Sequence, residues 1–225
     1  MSIRFVDSPI DTASSQLKRY RLDQPAQALI ERIVKDVAGQ YEIEPGITVF
    51  GKKCNQPRNI QFRSDVSKGY FYSGQVARAK PMTPDITALL ALVNETAGAE
   101  YNAILINQYE NGSKNVGAHS DSKEALDDTA GVFAISYGAT RNFRIRDKQG
   151  KQIVKNVPAK HAEALQMAGN FQNEYTHEIP KEMNVHAPRV SFTFRKHDPV
   201  AEAKMWVAHE RASERRTKRA RLDPK

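Results

Sequence analysis

Cysteine occurs once in 225 residues, at Cys54. One thiol makes no internal disulfide and no thiolate metal cluster, which fits a reducing, intracellular setting. No run of about 18 apolar residues is present, so no transmembrane helix and no membrane partner are expected. The opening stretch Met1–Pro9 lacks an apolar run long enough for a secretion signal. There is no internal repeat, and biased composition is confined to the last residues. What is present, 40% apolar residues, can bury a real core in one large domain or two small ones.

Acidic residues are also in short supply, and the formal net charge is +8. The excess sits at one end. Arg211, Arg215, Arg216, Lys218, Arg219, Arg221 and Lys225 face only Glu214 and Asp223 across residues 211–225. Without this tail the body is nearly balanced. A polyanion such as nucleic acid fits the excess, and so does a solvated, partly disordered tail with no specific partner. The run Arg215–Arg221 reads as a nuclear address in a eukaryote or its virus. In a prokaryote or phage the protein would be cytoplasmic and the run would bind nucleic acid.

Along the chain, residues 1–22 have no clear periodicity and read as a loose start. Asp23 and Pro25 open a helix whose apolar face is Leu29, Ile30, Ile33, Val34 and Val37, ending near Gly39. An extended piece at Ile47 and Val49, a loop from Gly51 to Pro57 and a strand around Ile60 and Phe62 follow. In Lys68–Gly74, Tyr70 and Tyr72 share one strand face and Phe71 takes the other. Phe71 on a core with surface tyrosines is one reading, and a platform for stacking a nucleobase is the other. Thr83, Pro84 and Asp85 open a second helix, with Ile86, Leu89, Leu90 and Val93 buried and Gly98 as its stop. Beyond Tyr101, short strands crowd together: Ala103–Tyr109, Val132–Tyr137, Phe143–Arg146, Gln152–Val157, Ala164–Met167 and Val190–Arg195. Turns at Gly138–Thr140 and Asp147–Lys151 join some of them. That density of strands predicts a sandwich or barrel.

The chemistry concentrates around Asn107–Asp121. His119 and Asp121 stand at i and i+2, so on an extended strand both point to one side and reach one metal ion. A second histidine completes the set of two His and one carboxylate that leaves positions open on iron(II). His177 is available, although a single downstream histidine is more often surface or core filler. In Arg189–Arg195, alternation gives Val190, Phe192 and Phe194 one face and Arg189, Ser191, Thr193 and Arg195 the other. Burying two guanidinium groups on one face calls for an anion. An exposed edge strand reads equally well on this motif alone. Asn107 and Tyr109, again at i and i+2, offer an amide and a phenol to a carboxylate.

The ordered series Asn107-x-Tyr109, His119-x-Asp121, His177 and Arg189–Arg195 resembles the AlkB family of iron(II)- and 2-oxoglutarate-dependent dioxygenases. Ser136–Phe143 resembles its S-x-G-A-x-R-x-F strand pair, and His177–Lys181 its H-x-[VI]-P-[KR]. The likeness is strong over about residues 101–197 and weaker in Pro57-Arg58 and Tyr70–Gly74. It implies a mainly β, α+β fold with a jelly-roll (double-stranded β-helix) core at 101–197, while residues 1–50 and 198–225 carry no such likeness. The expected organisation is an N-terminal helical and nucleotide-recognition region at 1–100, that core, and a basic tail at 198–225, in a monomer. His119, Asp121 and His177 would hold Fe(2+), and Asn107, Tyr109, Arg189 and Arg195 would hold 2-oxoglutarate, with Arg195 on the distal carboxylate and Arg189 also near the substrate. Tyr72 or Tyr70 would stack on a flipped base with His119 on its other face, and Arg58 belongs to the substrate side. The implied activity consumes O2 and 2-oxoglutarate, gives succinate and CO2, and releases formaldehyde from 1-methyladenine or 3-methylcytosine in DNA or RNA.

The chain departs from that pattern twice. Lys123 stands where repair members often carry an acid that meets the damaged base, with Glu124 next to it as a substitute. Ser191 stands where many have asparagine. Both bear on substrate choice, leaving demethylation of RNA, hydroxylation of a protein or amino acid, and a catalytically silent nucleic-acid binder as alternatives.

Overall fold

The computed structural model describes residues 1–49, 51–121 and 131–222, with backbone alone at 212, 213 and 215–222. In chain order the elements are β1 (Ile3–Asp11), β2 (Ser15–Leu22), α1 (Gln24–Val37), β3 (Gly46–Val49), β4 (Lys52–Asn55), β5 (Asn59–Arg63), β6 (Gly69–Tyr72) and β7 (Gln75–Lys80). Then come α2 (Pro84–Ala97), β8 (Ala103–Tyr109), β9 (Val116–His119), β10 (Val132–Gly138), β11 (Arg141–Asp147) and β12 (Ile153–Ala159). The last are β13 (Glu163–Gly169), α3 (Phe171–Glu174), β14 (Tyr175–Ile179), β15 (Arg189–Arg195) and α4 (Pro199–Leu222).

Two sheets face each other as a jelly roll. The major sheet runs β1-β2-β13-β10-β15-β8-β5-β7-β6, and the minor sheet β12-β11-β14-β9. β3 and β4 form a separate hairpin. The strand alternation expected for Arg189–Arg195 decides which face meets what. Val190, Phe192 and Phe194 join Ile104, Ile106, Phe133 and Ile135 against the apolar faces of α1 and α2. Each such side chain contributes about 1.5–3 kcal/mol on burial. Tyr109, Leu165 and Met167 turn the other way, onto Phe143, Ile145, Val157 and Ile179 of the minor sheet.

Both long helices before the core begin as their sequences require. Asp23 accepts from the Ala26 amide at 2.9 Å, with Pro25 in the first turn. Thr83 caps α2, and Gly98 ends it in the left-handed conformation at φ 61°.

Three expectations are corrected. Residues 1–22 are not loose: β1 and β2 pair with each other, and β2 pairs with β13. They hide in the sequence because β1 is an edge strand, bulged between Phe5 and Ile10 and holding Pro9, as edges tolerate. Gly51–Pro57 is mostly strand β4, whose residues are all exposed and so carry no alternating pattern. The tail contains α4, whose first turns dock on the body through Glu202 and Trp206. The ranges 1–100 and 101–197 also share one sheet, since β5, β7 and β6 extend it beyond β8.

Gly138 and Arg141 bracket the turn by which the chain passes from the major sheet to the minor. Gly138 sits at φ 94°, where a Cβ would lie 2.4 Å from the Pro188 carbonyl oxygen. Arg141 is buried, bonds Glu182 at 2.9 Å and donates to the carbonyls of Asn111, Lys114 and Pro180 at 3.2, 3.0 and 2.5 Å. It therefore staples the β8–β9 loop to the end of β14. Arg141→Leu is expected to cost about 3 kcal/mol, because the buried partners lose their donor. A urea midpoint that falls with an unchanged slope checks this.

Candidate active site

Register builds the floor of the site. Across β8 and β15, Asn107 pairs with Ser191 and Tyr109 with Arg189. Across β15 and β10, Ser191 pairs with Ser136 and Arg189 with Gly138. Directly paired residues share a face, so these side chains gather on the inner side of the major sheet. The opposing wall is the minor sheet, where His177 of β14 pairs with His119 of β9.

Asp121 lies two residues beyond His119, just past the end of β9. Ser120 turns away and donates to the Tyr175 carbonyl at 2.8 Å, which leaves Asp121 facing inward. Its backbone amide donates to Gln172 Oε1 at 2.9 Å, and Arg195 Nη2 donates to its Oδ1 at 2.5 Å. His119, Asp121 and His177 bring their ligand atoms within 4.8 Å of one another. The His119 and His177 rings are 4.4 Å apart, and Phe143 stacks on His177 at 5.1 Å.

The donor set has the protonation a divalent cation needs. Burial pushes the His177 pKa down to about 3, aided by His119. Burial also lowers that of His119, with Asp121 opposing. For Asp121, burial resists ionisation, but Arg195 and the two histidines outweigh it and keep the carboxyl below its usual range. His119 Nδ1 lies 2.9 Å from the Gly117 carbonyl, which can only accept; Nε2 is left as the ligand nitrogen. His177 Nδ1 is buried with no hydrogen-bond partner among the described residues. Two neutral imidazoles and a carboxylate at this spacing fit iron(II).

The guanidinium groups fit an anion beside it. Arg189 is fully enclosed, lies 5.3 Å over the Tyr109 ring and donates through Nη2 to Ser136 Oγ at 2.9 Å. Its Nε and Nη1 have no partner among the described residues, nor does Arg195 Nε. Buried cationic donors left unbonded are costly, and a carboxylate resolves that cost. These groups line one cavity with Asn107, Tyr109, Ser191, Thr193, His119 and His177, about 60 Å³ in volume.

The aromatic pair divides. Tyr70 is buried, with the Arg195 guanidinium 5.2 Å over its ring. Tyr72 is half-buried at the mouth, 6.3 Å from His119 with the rings nearly perpendicular. Arg58 lies 5.4 Å over Tyr72 and donates from Nε to Asn107 Oδ1 at 2.9 Å, linking mouth to floor. Outside them opens a cleft of about 670 Å³. Phe71 faces Trp206 of α4, not the central core. Lys123 and Glu124 lie outside the described residues.

Gln172, which holds Asp121, carried no signal: it sits in a single helical turn with no motif of its own. The low pKa of His177 has a measurable consequence. From pH 6.5 down to about 3 the unfolded chain binds a proton at this position and the folded chain does not. Stability is therefore expected to fall as pH drops through that window. His177→Gln should flatten the dependence of metal-free ΔG on pH, measured by urea unfolding.

Comparison with known proteins agrees with this geometry. A family model described as the 2OG-Fe(II) oxygenase superfamily matches residues 18–195. DNA oxidative demethylase ALKBH2 of Homo sapiens is 32% identical over 178 residues, spanning 76% of this chain and 68% of that protein. Alpha-ketoglutarate-dependent dioxygenase alkB homolog 3 of Homo sapiens is 29% identical over 192 residues, 80% of this chain and 65% of that one. The solved structure of OsALKBH1 superposes with TM-score 0.54 at 15% identity, covering 83% of this chain and all of that one, a likeness of fold. The chain belongs to the 2OG-Fe(II) oxygenase superfamily, among its AlkB-like, iron- and 2-oxoglutarate-dependent dioxygenases.

Proposed function

We propose that this dioxygenase removes N-methyl groups from nucleobases, with 1-methyladenine and 3-methylcytosine in DNA or RNA as substrates. The observation that carries the reading is the continuity of the site. A chamber suited to iron and a dicarboxylate opens past Tyr72 and His119 into a cleft of about 670 Å³, within the usual size of ligand sites. A base inside a duplex cannot reach that chamber, so it must be extruded. The name of one human relative, DNA oxidative demethylase ALKBH2, points to demethylation of DNA.

His119, Asp121 and His177 would hold the iron, which with O2 and 2-oxoglutarate supplies the oxidation that releases the methyl carbon as formaldehyde, with succinate and CO2. The protein's own residues position the parts. Arg195 is already engaged by Asp121, whereas Arg189, beside Tyr109, has two donors without a partner among the described residues. We therefore assign the distal carboxylate of 2-oxoglutarate to Arg189, in place of the expected Arg195, and give Arg195 the task of orienting Asp121. Ser191 lies between Asn107 and Ser136 on the floor, so its exchange for asparagine bears on the acid more than on the base. Tyr72, held by Arg58, is the residue that meets the base, and Tyr70 seals the chamber behind it.

Incubation with iron(II), 2-oxoglutarate and an oligonucleotide carrying 3-methylcytosine is expected to remove one methyl group, read by mass spectrometry. Succinate without change in the oligonucleotide would count against the proposed substrate. His119→Ala should abolish turnover. Arg189→Gln should raise the half-saturating 2-oxoglutarate concentration about 10- to 100-fold, the loss of a charged hydrogen bond. Arg195→Gln should instead weaken Mn(II) binding, measured calorimetrically without turnover. The opposite pattern would return the distal carboxylate to Arg195.

A further inference from the structure

The helix α4 belongs to the site as well as to the tail. Its first turns are clamped to the strand that carries the two tyrosines. Glu202 is buried and its Oε1 accepts from the Lys68 amide at 2.7 Å and the Gly69 amide at 3.3 Å. Trp206 Nε1 donates to the same oxygen at 2.9 Å. The Trp206 ring packs edge-on to Phe71 at 5.0 Å, and Arg78 lies 5.2 Å over it. Phe71 thus faces the helix while Tyr70 and Tyr72, on the other side of the same strand, face the chamber. One turn on, Met205 and His209 line the outer cleft together with Tyr72 and His119. The cationic run starts two residues later, at Arg211, which is exposed.

We propose that α4 is a rail for the phosphodiester backbone of the nucleic acid whose base enters the cleft, an inference that rests on the function proposed above. The helix begins as a wall of the cleft and leaves it carrying Arg211, Arg215, Arg216, Lys218, Arg219 and Arg221 against Glu214 alone. From His209 to Arg221 it extends about 18 Å at 1.5 Å per residue. That length spans about five phosphates of one strand at 3.4 Å each. Charge complementarity selects the occupant: a polyanion lying along the helix and continuous with a base in the cleft. A backbone so held keeps the flanking strand in place while one nucleotide turns inward.

The test uses the full chain and an unmodified DNA duplex, so binding is read without turnover. The variant carries glutamine at all six cationic positions from Arg211 to Arg221, and a second variant carries lysine at the five arginines. Fluorescence anisotropy across a salt series reads the slope of log K against log salt. In the glutamine variant the slope should shrink by about 0.9 for each phosphate the helix no longer neutralises, and affinity at low salt should weaken about tenfold or more. The lysine variant should keep the wild-type slope, because neutralisation of a phosphate is set by charge. An unchanged slope in the glutamine variant overturns the proposal and leaves the run to a protein partner. A second readout is the KM for 3-methylcytosine in a trinucleotide and in a long duplex. The length advantage should disappear in the glutamine variant, and its persistence also overturns the rail. If the wild-type chain acts on neither substrate but its duplex binding responds as expected, the demethylase reading fails and the rail stands.

Discussion

Two guanidinium groups buried on one face of a central strand set the terms for this molecule. Arg189 and Arg195 stand six residues apart on β15, both shut away from water between the sheets. Isolated buried cations are too costly to persist without partners. Asp121 answers one of them, and that guanidinium keeps Asp121 ionised against the opposing effect of burial. The other retains donors that no described side chain takes up. The chamber's suitability for an anion thus follows from where the strand places its charges, and the candidate metal site shares its carboxylate with the same arrangement.

The rest of the architecture holds that charge in register. Three adjacent strands bring Asn107, Ser191 and Ser136 into one row, and Tyr109, Arg189 and Gly138 into the next. The reverse face of those strands is apolar from Ile104, Ile106, Phe133 and Ile135 to Val190, Phe192 and Phe194, and packs with α1 and α2. The minor sheet supplies the two imidazoles, and Arg141 fixes the loop between Tyr109 of β8 and His119 of β9. Polar and apolar functions are divided by the pleat of a strand, so neither compromises the other.

Much of this was legible in the sequence, for definite reasons. The alternation in Arg189–Arg195 survives because β15 is buried on both faces, and the caps of α1 and α2 are local chemistry. The metal pair His119 and Asp121 follows from strand geometry, whereas His177 could be joined to them only by resemblance, since the pairing of β14 with β9 is non-local. β1 was lost because an edge strand follows solvent as much as core, and β2 because its buried apolar residues Leu17, Tyr20 and Leu22 do not alternate strictly. α4 was obscured by its own charge: one tryptophan and one buried glutamate dock it, and neither stands out beside the cationic run. That Arg195 and not Arg189 pairs with Asp121 was not legible either. Two arginines on one face are equivalent until a loop chooses between them, and here the loop bearing Asp121 takes Arg195.

β15 is the last strand in the chain and yet lies between β10 and β8 in the middle of the major sheet. During synthesis, then, its two neighbours exist with their pairing edges open until residue 195 has emerged. Open edges of this kind invite pairing with other chains, and contacts so distant in sequence form slowly. The nascent polypeptide must wait for β15 before the major sheet is continuous and Asp121 has its guanidinium partner. A chain ending before β15 would carry His119, Asp121 and His177 without either buried guanidinium and with two exposed sheet edges, a substrate for chaperones and proteases.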